Sequence, residues 1–101
     1  MHPGHTLGAV YLYRSSIDFR KSIDGLSALV EQALGHNPFG DALYLFINRR
    51  RDKLKALYWH RNGFCLWYKR LEAERFAWPE AAADEATCVL TAKELEWLLE
   101  G

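Results

Sequence analysis

Apolar positions change their period several times along this chain, and each change marks an element. Ala9–Tyr13 reads AVYLY, a β-branched and aromatic run that predicts a short strand. Further on, Phe19, Ile23, Leu26, Val30 and Ala33/Leu34 recur at the spacing of one helix face. Asp18 and Ser22 are both competent N-caps, so the start of that helix stays open between them. Gly35 supplies the left-handed stop, with Pro38 beyond it. Gly25 inside the helix costs roughly 1 kcal/mol against Ala, which points to close packing there.

Three strand-like runs follow: Ala42–Asn48, Lys53–His60 and Phe64–Lys69. The first two are joined by RRRD, the second pair by a turn containing Asn62-Gly63, a strong hairpin signal. Phe76–Trp78 reads as a fourth short strand ending at Pro79, and EAAADEA as a weakly structured linker. In LTAKELEWLLEG, Thr91 and Glu94 form a capping box and Leu90 and Leu95 stand at staple positions, so a helix closes the chain. The expected fold is a single α+β domain over residues 1–101: a short N-terminal strand, one helix, an antiparallel meander of three to four strands and a C-terminal helix.

Alternation decides which side chains share a sheet face. A four-residue RRRD loop pairs Asn48 with Lys53, Phe46 with Lys55 and Tyr44 with Leu57. A turn centred on Asn62-Gly63 pairs Trp59 with Leu66, Leu57 with Tyr68 and Lys55 with Arg70. One face then collects Leu43, Leu45, Ile47, Leu54, Ala56, Tyr58, Trp67 and Leu71, a core. The other collects Tyr44, Phe46, Trp59 and Tyr68, grading into Lys53, Lys55 and Arg70 near the arginine loop. Aromatics interleaved with cations suit single-stranded nucleic acid, where bases stack and phosphates pair. The plainer alternative puts that face beneath a helix and leaves the arginines solvated.

Charge sharpens this picture. The chain is neutral, with 13 basic and 13 acidic residues, which argues against a generic nucleic-acid sponge. The balance is uneven. Residues 1–75 hold 12 Lys/Arg and 7 Asp/Glu, a net of +5, and residues 76–101 hold one Lys against six acids, a net of −5. A basic working portion (9–79) and an acidic linker and helix (80–101) follow. Arg49, Arg50 and Arg51 repel one another, and an anionic partner relieves that repulsion.

Catalytic and metal chemistry find no footing. His2, His5, His36, His60, Cys65 and Cys88 match no zinc spacing. His60 and Cys65 straddle a hairpin turn, which suits a half-buried Cys beside a satisfied His better than a catalytic pair. Asp18 and Asp24 lie six apart, off a common helix face, with Asp18 better read as a cap than as a partner of Asp41 in a metal cluster. No phosphate loop or nucleophile elbow is present, so no enzyme, cofactor or metal is expected. The two cysteines make no disulfide framework, the N-terminus has no signal-peptide pattern, and no apolar run reaches membrane-spanning length; a cytoplasmic setting follows.

DFRKSIDGLSALV (18–30), LYLFINRRRDKLKALYWHRNGFCLWYKRLE (43–72), RFAWP (75–79) and LTAKELEWLLEG (90–101) together resemble the TnpB-type accessory proteins of bacterial insertion sequences, the group numbered sixty-six. The resemblance spans about Val10 to Gly101. It implies a small non-catalytic protein encoded beside a separate DDE-type transposase and needed for efficient transposition, unrelated to the RNA-guided nucleases that share the TnpB name. The family's D-x-R-K falls on Asp18, Arg20 and Lys21, and its basic loop on Arg49, Arg50, Arg51 and Asp52, followed by Lys55. Its W-x-x-x-G falls on Trp59 and Gly63, and its K-R-L-E on Lys69, Arg70, Leu71 and Glu72. His60 and Arg61 stand where many members carry acids, Ala73–Glu74 replace a common Gly-containing turn, and many members continue past the position of Gly101.

Two functions remain open at this stage. In the first, Arg20, Lys21, Arg49, Arg50, Arg51, Lys53, Lys55, Arg61, Lys69, Arg70 and Arg75 grip DNA backbone without reading sequence. In the second, exposed aromatics (Tyr44, Phe46, Trp59, Tyr68 and Trp97 are the candidates for stacking or docking) bind the transposase or a sister accessory protein. Homo-oligomerisation is open in both, and RNA binding is a weaker third reading.

Overall fold

The computed structural model describes residues 8–79 and 85–101. Its elements run β1 (Val10–Tyr13), α1 (Ile23–Gln32), β2 (Leu43–Ile47), β3 (Lys53–His60), β4 (Gly63–Arg70), β5 (Thr87–Leu90) and α2 (Ala92–Glu100). The strands form one sheet in the order β4-β3-β2-β1-β5. The β2, β3 and β4 strands are the antiparallel meander, and β1 lies parallel to β2. Parallel neighbours need a long crossover, and α1 lies in that connection.

The fold is thus α+β, with a strand at the front and a helix at the back, as the residue pattern predicts. Two details differ. Phe76–Trp78 is not a strand: both aromatics turn into the core, at 2% and 5% exposure, and the Trp78 indole donates to Tyr13 O at 3.0 Å. Three residues before a proline are too few to hold a ladder, so their rings do the anchoring. The outer strand is β5 instead, antiparallel to β1, drawn from TCVL where a linker and helix start were expected. Residues 80–84 of that linker lie outside the described residues.

Register follows the pattern on one side and slips on the other. Phe46 faces Lys55 and Tyr44 faces Leu57, as predicted from the RRRD loop. Across the hairpin, Trp59 faces Phe64, Leu57 faces Leu66, Lys55 faces Tyr68 and Lys53 faces Arg70. That is a two-residue shift. The two loop residues are Arg61 and Asn62, with Arg61 at φ 56° taking the left-handed position and Gly63 joining β4. Because side chains alternate with period two, the slip leaves every residue on its predicted face.

Both faces are covered. Leu12, Leu43, Leu45, Ile47, Leu54 and Ala56 form one core with Phe76, Trp78 and Leu98, joined at its edge by Tyr58, Trp67, Leu71, Leu90 and Leu95. Leu26 and Val30 of α1 pack with Tyr44, Phe46 and Leu57 on the other. Each fully buried side chain of this size contributes roughly 1.5–3 kcal/mol. The aromatic face therefore lies largely under a helix. Ser22 occupies the α1 N-cap position without a side-chain cap bond, and Gly35 at φ 68° follows the last turn. The Thr91–Glu94 capping box opens α2.

Candidate nucleic-acid interface

The loop 49–52 is built by its neighbours rather than left to solvent. Asn48 N donates to Lys53 O at 3.2 Å, closing β2 onto β3, and Arg51 N donates to Asn48 O at 3.1 Å. The Asn48 side chain fills the loop: its Oδ1 accepts from the amides of Asp52 (3.1 Å) and Lys53 (3.0 Å), and its Nδ2 donates to Asp52 Oδ1 at 2.7 Å. That last bond leads the causes holding the Asp52 carboxyl below its usual pKa. Three successive carbonyls are then taken from outside. Arg75 Nε donates to Arg50 O, Phe76 N to Arg51 O and Leu71 N to Asp52 O, at 2.9, 2.8 and 2.8 Å.

The result is a hydrogen-bonded platform with cations on its rim. Arg49 and Arg50 are exposed and Arg51 half-buried. Arg51 sits at φ 62°, a left-handed backbone that costs a non-glycine residue about 1–2 kcal/mol. Among the described residues, ion pairs join Arg14 to Glu85, Arg20 to Asp18 and Arg70 to Glu72, and none involves these three arginines. A hollow of about 90 Å³ between the loop and residues 71–75 contains Glu72 and Glu74 beside Arg50 and Arg75. The hollow is therefore of mixed charge, and the exposed Arg49 lies outside its lining.

A second loop arrives at the same end of the sheet, where Ile17 N donates to Ile47 O at 2.9 Å. Here the structure reassigns two residues. Asp18 caps no helix: it accepts from Arg20 N and Arg20 Nε, and the guanidinium holds its carboxyl down at about 2. Lys55 is buried at 7% exposure, with its ammonium donating to Phe19 O at 2.8 Å and Lys21 O at 2.6 Å. Burial lowers its pKa. Its charge serves the loop and is absent from the outer surface, because the α1 connection covers the middle of that face. Lys21 is exposed.

The other candidates divide by place. Lys53 and Arg70 face each other at the basic end, half-buried and exposed respectively, with Arg70 Nε donating to Glu72 at 2.9 Å. Arg75 is exposed and tied to the arginine loop. Lys69 points to the opposite face and donates to Leu99 O at the end of α2. Arg61 lies at the far end of the sheet, in the β3–β4 turn. Of the aromatics, Tyr44 and Phe46 are buried at 4% and 0%, so neither presents a face to a ligand. Trp59 clusters with Phe39 and Phe64 at the far end, centroids 5.0 Å apart in each case. Tyr68 and Trp97 are exposed.

Sequence pattern missed Asn48 and Phe39. An Asn directly before a four-residue loop is the signal for the first. Phe39, exposed and held by an Asn37 side-chain bond to its amide, sits in a stretch with no periodicity to read. Cys65 faces Tyr58, not His60, and burial and that thiol raise the Tyr58 pKa.

These features define a class: a small α+β domain whose five-stranded sheet carries a braced, cation-rich loop at one end. The comparisons narrow it. The chain belongs to the family described as IS66 Orf2 like protein, whose model matches residues 8–101, and it is an insertion-sequence accessory protein. It is similar to "Uncharacterized protein y4jC" of Sinorhizobium fredii, 38% identical over 63 residues, 62% of this chain and 54% of that protein. It is also similar to "Uncharacterized protein y4hO" of the same organism, 30% identical over 92 residues, 91% of this chain and 78% of that protein. The match therefore spans about half of the first relative and about three quarters of the second. No solved structure matches the chain. Among the described residues no helix is long and apolar enough to cross a membrane.

Proposed function

We propose that this protein assists transposition of its insertion sequence, in the cytoplasm and without cutting DNA itself, by holding DNA backbone on the basic end of its sheet. One observation carries the reading. Arg49, Arg50 and Arg51 are displayed on a loop braced through three consecutive carbonyls, with no carboxylate paired to them among the described residues. Bracing that keeps like charges together costs stability and is repaid when an anion arrives. Lys21, Lys53, Arg70 and Arg75 extend the field around that loop. Backbone contacts of this kind position DNA for a transposase and read no sequence.

Replacing Arg49, Arg50 and Arg51 with Ala is the direct test: DNA affinity falls at least ten-fold at low salt while the fold persists. Unchanged affinity would remove the loop from the interface. The exposed Trp97, on a helix bearing Glu94, Glu96 and Glu100, supports a second role toward a basic surface of the transposase or a sister accessory protein. The two roles occupy different parts of the molecule.

A further inference from the structure

Most sheet aromatics on the α1 side are covered, but Tyr68 is 48% exposed. It stands on β4, an outer strand of the sheet, opposite Lys55 and two residues from the Lys53–Arg70 pair on the same face. Its ring is supported from the protein side. Phe19 meets it edge-on, centroids 6.1 Å apart at 61°, and the Lys55 ammonium lies 4.7 Å from the Phe19 centroid and 6.0 Å from that of Tyr68. Exposed Lys21 and Arg70 and half-buried Lys53 belong to the same end. Two of the nearby carboxylates are already engaged, Asp18 by Arg20 and Glu72 by Arg70.

We propose that Tyr68 is a base-stacking residue and that the basic end of the sheet takes single-stranded DNA, with a base on the Tyr68 ring and its flanking phosphates on Lys53, Arg70 and Lys21. The inference deepens the DNA-binding reading above and rests on it. A supported ring amid cations matches what a single strand presents: an unpaired π-face with a phosphate on either side. Duplex DNA offers no such face, since its bases stack on one another. A protein partner would meet the same ring amid several cations, a poorer match for an apolar contact.

The test compares a short labelled oligothymidylate with a duplex of equal length, by fluorescence anisotropy at fixed low salt. The wild type binds the single strand more tightly, and Tyr68→Leu loses about ten-fold on the single strand while duplex affinity changes less than two-fold. Tyr68→Phe keeps the ring and retains the affinity. Irradiation of a 5-iodouracil-substituted strand crosslinks to Tyr68 in the wild type, as mapped by mass spectrometry. Equal losses on both forms, or an unchanged single-strand affinity in Tyr68→Leu, overturn the stacking role while leaving backbone binding in place. Failure of the wild type to bind either form overturns both readings.

Discussion

The ammonium of Lys55 donates to the main-chain oxygen of Lys21 at 2.6 Å, so a buried lysine of the sheet fixes the loop that exposes another. Lys55 also reaches Phe19 O and lies against the Phe19 ring, which locks the stretch from Asp18 to Lys21 over β3. Replacing it with Met leaves both carbonyls without that donor. Lys55→Met is expected to lower unfolding free energy by about 1–3 kcal/mol, read by urea denaturation, and to speed amide exchange at Arg20 and Lys21. The pH dependence carries a sign. Burial depresses this pKa, so between the folded-state value and 10.5 the unfolded chain binds the proton that the folded chain has released. This group therefore makes stability rise with pH through that window, and the rise is absent in the Met variant.

Asn48 organises the arginine loop without contributing charge. Asn48→Ala removes two accepted amide bonds and one donated bond. The expected cost is about 1–3 kcal/mol, together with a several-fold loss of DNA affinity at unchanged net charge. Full DNA affinity in this variant would show that the cations need no bracing.

A substitution at Arg51 is expected to move stability and binding in opposite directions. Its φ of 62° is comfortable for glycine and strained for arginine. Arg51→Gly should gain up to about 1 kcal/mol in thermal unfolding and lose DNA affinity. Opposite signs are the mark of strain kept for function. Losses in both would assign the side chain a structural role.

Asp18 titrates at about 2, pulled down chiefly by its hydrogen bonds from Arg20. A depressed carboxyl contributes stability that is present above its ordinary range near pH 4 and lost as pH falls through about 2. A carboxyl-carbon NMR titration checks the value. Asp18→Asn removes a negative charge beside the basic end and should tighten DNA binding two- to five-fold at low salt, with the gain fading as salt rises.

How far the residues alone reached differs from element to element. The two sheet faces were legible, because period-two alternation survives even the two-residue slip at Arg61-Asn62. The α2 cap was legible because Thr91 and Glu94 act locally. Lys55 was not: its place in a strand makes it one more cation of the pattern, and only the path of residues 17–21 over the sheet buries it. The β5 strand was hidden for a related reason, since TCVL is too short to declare itself and is fixed by long-range pairing with β1. Tyr44 and Phe46 had the alternation of a stacking surface, and α1 decided between that surface and a core.

The measurement that bears most directly on DNA binding is the salt dependence of DNA affinity for the wild type and for the Arg49→Ala, Arg50→Ala, Arg51→Ala triple variant. Affinity should fall linearly in log–log form with salt, and the triple variant should show a slope shallower by about two to three, one counterion per lost phosphate contact. Identical slopes for the two proteins, or no binding by the wild type at low salt, would contradict the assignment of the arginine loop to DNA.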